Sequence, residues 1–342
     1  MDAATTLAIS LDDVKRAAER IAPYVKRTPV LTSRTLDELS GRSLYFKAEL
    51  FQATGAFKIR GACNAVFSLT EEKAARGVAT HSSGNHAAAL ARAAQLRGIP
   101  AYVVVPSNTP EIKVDACRSY GVEPIMCEAS MAAREAACAL VVQDTDATFV
   151  PPYNHPLVIA GQGTIALEFL EQVPLLDALI VPVSGGGMIS GIAVAARALK
   201  PGIKILAAEP VGRNNAADVA ASLAAGRLVQ LDKPETICDG LQAATGSLTW
   251  PIVQQLVDGV LTVCEEEVVA AMRLVMERMK VVVEPSGAAG VAAALGSDMR
   301  SRYPELRHVG VVLCGGNLDF GDAFWQSWLA RSLTGTQNIP ST

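Results

Sequence analysis

The sequence predicts an α/β protein built as two lobes, each with a mostly parallel twisted sheet flanked by helices. Three observations carry this prediction. Short apolar runs such as 101–105 and 178–183 alternate with helical stretches at the spacing of βαβ units. The alternation breaks at Pro151-Pro152 and then restarts. Loops rich in Gly, Ser and Asn directly follow several of the runs, at the strand ends where open parallel sheets bind ligands.

In chain order, residues 11–27 have the apolar spacing of an amphipathic helix. After Thr28-Pro29 come the extended Val30-Leu31-Thr32, a short helix around Leu36, and a strand at 44–49 marked by alternation. The run Thr54-Gly55-Ala56-Phe57-Lys58-Ile59-Arg60-Gly61-Ala62 leads into a helix through Ala65 and Leu69. A strand at 77–80 follows. The loop Ser82-Ser83-Gly84-Asn85-His86 then opens an Ala-rich helix to Leu96, closed by Gly98-Ile99-Pro100. Strand 101–105, helix 111–120, strand 124–127, helix 131–144 and strand 148–150 complete this stretch.

Beyond the prolines come helix 163–172, strand 178–183, and a Gly-rich loop opening a helix that ends near Leu199. Strand 203–208, helix 215–225 and strand 259–264 follow. Helix 265–279 carries Glu265, Glu266 and Glu267 in its first turn, favourable at the positive end of the helix dipole. Helix 287–295 and strand 309–313 come last, and the chain from about Ser332 has the composition of a frayed tail. Segment 80–152 is thus expected as a small lobe inserted into a larger one made of 1–79 and 153–342, with a ligand between them.

At 342 residues, half of them hydrophobic and 19% charged, the chain has ample core and is not disordered. A net charge of -4 disfavours nucleic acid or an anionic membrane as partner. No apolar run reaches the roughly 18 residues of a membrane span. With Asp2, Asp12 and Asp13, the first residues have neither a secretory nor a transit pattern, which points to the cytoplasm. The cysteines at 63, 117, 127, 138, 238, 264 and 314 are odd in number, scattered and free of CxxC pairs. Free thiols in a reducing compartment are expected, without a structural zinc site.

Four segments carry chemistry. Ser184-Gly185-Gly186-Gly187-Met188-Ile189-Ser190-Gly191 follows a strand and starts a helix, where backbone N–H groups and the helix dipole bind phosphate. It lacks a Gly-Lys-Ser/Thr ending, and its third glycine is one residue late for a dinucleotide fingerprint. A tight strand–helix joint is the other use of such a turn. Lys58 has apolar flanks that disfavour its charged form and free its amine to attack a carbonyl, whereas a surface lysine would only snorkel. The 82–86 loop offers helix-start amides to a carboxylate, or plain Ser/Asn capping. Cys314-Gly315-Gly316-Asn317 follows a strand, with core burial as the ordinary role of Cys314.

Together with Glu284-Pro285-Ser286-Gly287, Ile159-Ala160-Gly161-Gln162-Gly163-Thr164 and the stretch 236–240, these segments resemble the fold-type-II pyridoxal-phosphate (PLP) enzymes, whose fold is that of the tryptophan synthase β chain. Within them the chain is similar to the serine racemases and serine/threonine dehydratases over about 10–330. The resemblance implies interconversion of L- and D-serine, with β-elimination of serine or threonine to a 2-oxo acid and ammonia. A threonine/serine or 3-hydroxyaspartate dehydratase with little racemase activity is the alternative, and His155 and Arg134 are candidates to meet a second carboxylate.

Position by position, the resemblance implies that Lys58 forms the Schiff base, Phe57 packs on the ring, and Asn85 bonds the phenolic oxygen. Gly185, Gly186, Gly187 and Met188 would bind phosphate, and Cys314 would face the pyridine nitrogen. Ser82, Ser83, Gly84 and His86 would hold the substrate carboxylate. Lys58 and Ser83 would be the acid/base groups on opposite faces of Cα. Relatives have Ser or Cys at position 314, and Cys leans towards elimination. For the family's divalent-cation site, Glu209 supplies the carboxylate and Arg213 a carbonyl, but Asn215 stands where relatives have Asp. An insertion would instead bring Ala216 and Asp218 into register. Such ligands suit Mg²⁺ or Ca²⁺, and a solvated helix start is the other reading. A homodimer is implied too, and Tyr120 and Lys280 partly match a nucleotide effector site of animal relatives. A non-catalytic module would lack the lysine, serine or glycine loop, and all are present.

Overall fold

The computed structural model describes residues 7–212, 216–231 and 234–321. Its strands are β1 (Val30–Leu31), β2 (Ser43–Ala48), β3 (Val78–His81), β4 (Ala101–Pro106), β5 (Ile125–Cys127), β6 (Thr148–Phe149), β7 (Ala178–Pro182), β8 (Lys204–Pro210), β9 (Gly259–Val263) and β10 (His308–Leu313). They form a six-stranded sheet in the order β1-β2-β10-β7-β8-β9 and a four-stranded sheet in the order β5-β4-β3-β6. Only β1 against β2 is antiparallel. The larger sheet is therefore mixed, the smaller wholly parallel. Every residue of β7 is buried, as expected for a central strand with helices on both faces.

Helix ends depart from the sequence expectation for local reasons. The first helix, Leu11–Ile21, opens on a capping box in which Ser10 Oγ accepts from Asp13 N and the Asp13 carboxylate accepts from Ser10 N. It stops six residues short of 27 because Pro23 cannot donate the next helical bond. The helix expected at 163–172 runs Pro156–Gln172, with Pro156 in its first turn and His155 Nδ1 accepting from Leu157 N at 3.2 Å.

The glycines that disguise this helix's start are packing residues. Helices Pro156–Gln172 and Gly187–Leu199 cross so closely that a Cβ on Gly191 would overlap the Ile159 carbonyl. Helix Lys58–Phe67 packs on another face of Pro156–Gln172, where a Cβ on Gly161 would lie 2.7 Å from Arg60 O. Three helices thus fix Lys58 and the 184–188 loop in one frame.

Ion pairs anchor that frame. Arg60 is fully buried and forks onto Glu49 (Nε–Oε2 2.7 Å, Nη2–Oε1 2.8 Å) and Glu168 (Nη1–Oε1 2.7 Å, Nη2–Oε2 2.9 Å). Lys47 Nζ joins at 2.6 Å from Glu168 Oε2 and donates to Thr28 O at 2.8 Å. Two cations face two carboxylates, so no net charge is buried. No described helix is long and apolar enough to cross a membrane. All seven cysteines are unpaired.

Candidate active site

A cleft of about 1120 Å³ opens between the two sheets, and every residue that the resemblance assigns to cofactor or substrate lines it. Lys58 enters from the start of its helix. Its neighbour Phe57 is fixed by the bond from its N–H to Cys314 O at 3.0 Å. The Lys58 amine donates to Pro152 O at 2.6 Å and lies 5.1 Å from the Phe57 ring centroid. Burial pushes it down to about 8, only weakly opposed by Cys314. Cys314 lies just beyond β10, and burial raises its thiol well above the ordinary range, with the Glu284 carboxyl adding to the effect. It faces the cleft as a neutral thiol.

Opposite, the loop after β7 presents a run of backbone donors. The N–H groups of Gly185, Gly186, Gly187, Met188 and Ile189 have no acceptor among the described residues. Gly186 adopts φ 86°, which turns the chain into helix Gly187–Leu199 with these amides pointing one way. A Cβ on Gly185 would overlap the Tyr153 ring. Thr249 Oγ1 donates to Gly185 O at 2.7 Å, and Ser184 Oγ accepts from Ala243 N at 2.9 Å. The loop is braced from behind and open in front.

The loop after β3 makes a second donor cluster. The N–H groups of Ser83, Gly84, Asn85 and His86 also have no acceptor among the described residues, at the start of helix Asn85–Arg97. Ser82 and Ser83 line the same wall. His86 differs from expectation in its side chain. Its Nε2 is engaged with Val150 O at 2.9 Å, and burial, reinforced by Lys58, pushes the imidazole down to about 3. A neutral ring that donates from Nε2 has a bare acceptor at Nδ1, which is buried without a partner. A carboxylate can therefore use the His86 backbone N–H but not its ring.

Several residues of the cleft wall, among them Tyr153, His81 and Phe149, are not distinguished in the sequence, and Glu284 and Asn317 stand within its motifs without a role. Tyr153 backs the glycine loop, and His81 stacks on Phe149 with centroids 5.3 Å apart. Glu284 and Asn317 flank Asn85. Arg134 lines the cleft, whereas His155 caps a helix and lines a separate small cavity. Tyr120 donates to Ala53 O at 3.2 Å, and Lys280 sits exposed with φ 62°.

Away from the cleft, Glu209, the last residue but one of β8, has its two oxygens accepting from Val219 N at 2.8 Å and Ala220 N at 2.9 Å. Burial pushes its carboxyl up to about 8. The nearby Asp218 carboxyl adds to that rise, and Asp218 accepts from Thr245 N and Oγ1 at 2.9 and 2.8 Å. Ala216 is buried beside them, its N–H donating to Val211 O. Arg213 and Asn215 lie outside the described residues. Among the described residues no three His, Cys, Asp or Glu side chains converge as metal ligands would.

The pyridoxal-phosphate dependent enzyme family matches residues 21–315. A serine racemase of Arabidopsis thaliana is 52% identical over 317 residues, covering 92% of this chain and 95% of that protein. The solved structure of maize serine racemase shares 49% identity and superposes with a TM-score of 0.91, covering 96% of this chain and 99% of that one. A solved threonine deaminase from T.th. shares 41% identity with a TM-score of 0.85, covering 92% of this chain and 100% of that one.

Proposed function

The chain belongs to the pyridoxal-phosphate dependent enzymes, and from that premise we propose that it racemises serine and dehydrates serine and threonine in the cleft between its sheets. One observation carries the reading. A lysine with a lowered pKa and five successive unpaired amides line the same cleft, which fits a ligand having an aldehyde at one end and a phosphate at the other. When bound, PLP supplies an electron sink that makes the Cα proton of an attached amino acid acidic.

The residues divide the remaining work. Gly185, Gly186, Gly187 and Met188 would hold the phosphate through backbone N–H groups, Phe57 would pack on the ring, and Asn85 would donate to its phenolic oxygen. Cys314, a neutral thiol, would face the ring nitrogen without giving it a proton. The substrate carboxylate is held by the amides of Ser83, Gly84 and His86 and the hydroxyl of Ser82. Lys58 moves the Cα proton on one face and the Ser83 hydroxyl on the other, and two opposed groups are what racemisation needs. With Lys58 alone acting, the Cα proton and the β-hydroxyl leave together as water, and the released enamine tautomerises and takes up one water to give the 2-oxo acid and ammonia. Arg134 in the cleft wall favours extending the substrate range to a 3-hydroxyaspartate.

The finer organisation belongs to the same proposal. The segment 80–152 is read as a small lobe inserted into a larger one, working as a cytoplasmic homodimer, with Tyr120 and Lys280 as the partial match for a nucleotide effector. The unpaired cysteines support the reducing compartment. Mg²⁺ or Ca²⁺ would be held by Glu209 and Asp218 with carbonyls and water, the raised carboxyls first being deprotonated. The cofactor assignment is tested by visible absorption. The purified protein should carry the bound-cofactor band, and Lys58→Ala should lose it. A wild type without cofactor, or a Lys58→Ala protein that keeps the band, overturns the reading.

A further inference from the structure

Glu284 is a buried carboxyl with no part in the chemistry above. It precedes helix Pro285–Leu295, is 3% exposed, and its hydrogen-bond donors are neutral. Oε1 accepts from Asn85 Nδ2 at 2.9 Å, and Oε2 accepts from Asn317 N at 3.1 Å. Asn317 then donates twice from Nδ2, to Thr54 O at 2.8 Å and to Asn85 Oδ1 at 2.8 Å.

The chain of bonds fixes a direction. A backbone carbonyl only accepts, so Thr54 O decides which end of the Asn317 amide faces Asn85. Asn317 offers a donor, so Asn85 must meet it with Oδ1 and turn Nδ2 towards Glu284. Reversing the Asn85 amide would set Nδ2 against the Asn317 Nδ2 donor and Oδ1 against a carboxyl oxygen. Two N–H groups of Asn317 and the acceptor of Asn85 are thereby consumed. What Asn85 has left for the cleft is its second N–H.

The surroundings are shaped for this clamp. A Cβ on Gly315 would overlap Glu284 Oε1, and one on Gly55 would overlap Asn317 Oδ1. The clamp also crosses the cleft. Asn85 starts the helix after β3 of the four-stranded sheet, whereas Asn317 follows β10 of the six-stranded one.

We propose that Glu284 and Asn317 are positioning residues that lock the Asn85 amide, so that it presents a donor and never an acceptor to an anionic oxygen of the bound cofactor. The inference rests on the reading that the cleft holds PLP, whose phenolic oxygen is that anion. Loss of the lock should weaken binding of the ionised form. The bound cofactor's long-wavelength band should then give way to its short-wavelength band at a higher pH than in the wild type.

The test compares Glu284→Ala, Glu284→Gln and Asn317→Ala, each with and without Asn85→Ala. PLP is titrated into the apoprotein by fluorescence, and the two absorption bands are followed against pH. Glu284→Ala and Asn317→Ala should each weaken cofactor binding roughly tenfold and raise the spectral midpoint. Glu284→Gln, which keeps an acceptor for Asn85, should lie nearer the wild type. In the Asn85→Ala background either substitution should add less than about twofold, because its effect passes through Asn85.

Full effects persisting in that background, or unchanged binding and midpoint in variants of normal melting temperature, overturn the lock. Should Glu284→Ala fail to fold, Asn317→Ala and Glu284→Gln still decide it. A wild type that binds no PLP removes the underlying reading and the lock with it. A wild type that binds PLP while its variants behave additively removes the lock alone.

Discussion

The lysine titration gives the sharpest prediction. Lys58 lies in a half-buried wall with no carboxylate beside it, its amine donating to Pro152 O. Desolvation moves it from 10.5 to about 8. At pH 7.5 an ordinary lysine has about one amine in a thousand neutral, whereas one at about 8 has about a quarter. Only the neutral amine attacks an aldehyde, so at that pH Lys58 should react a few hundred-fold faster than an unperturbed amine of equal nucleophilicity. The assay is stopped-flow absorption of PLP mixed with apoprotein from pH 6 to 10. Parallel runs with a free lysine derivative, first normalised to its own neutral-amine fraction, divide out the titration of the cofactor itself. The corrected rate should rise with pH and level off with a midpoint near 8. A rate still climbing without inflection at pH 10 would refute the argument, since it would mean that water reaches the amine freely.

Other perturbations follow from the same geometry. Gly185→Ala drives a methyl group into the Tyr153 ring and turns amides away from the cleft, so PLP affinity should fall about tenfold to a hundredfold by titration. Adding Tyr153→Ala should restore part of it, and no restoration would mean that Tyr153 is not the obstacle. Arg60→Met leaves Glu49 and Glu168 facing each other without their common partner, and urea unfolding should report a loss of about 3–5 kcal/mol. A loss under about 1 kcal/mol would show that the buried network is dispensable. Chelation of divalent cations should lower the melting temperature, Mg²⁺ or Ca²⁺ should restore it, and Glu209→Gln should be insensitive to both. A melting temperature indifferent to chelator discards the cation.

What the sequence discloses is set by how local each cause is. Strands such as β7 are readable because burial on both faces demands an unbroken apolar run. Helix Pro156–Gln172 is half hidden, because Gly161 and Gly163 look like breakers until neighbouring helices are seen to need the space. Short helices at Glu71–Arg76, Trp250–Leu256 and Ser297–Arg302 lack enough turns to show a period. In the site, Lys58 and the two donor loops are legible because each is a contiguous run with its chemistry on its surface. The state of His86 is not, since it depends on the Val150 carbonyl 64 residues away. The Asn85 clamp is hidden likewise, its partners lying 199 and 232 positions off. Glu209 and Asp218 do meet, although only the alternative register of the resemblance pairs them.

The central claim is that Lys58 and Ser83 handle one proton from opposite faces. Its most direct measurement follows D-serine and pyruvate together from L-serine, for the wild type and for Ser83→Ala at equal cofactor occupancy. The wild type should form both products. Ser83→Ala should lose D-serine formation by about a hundredfold or more, the contribution of a positioned acid/base group, while pyruvate falls far less. Equal losses of both products would contradict the assignment of Ser83, and a wild type forming neither would contradict the function.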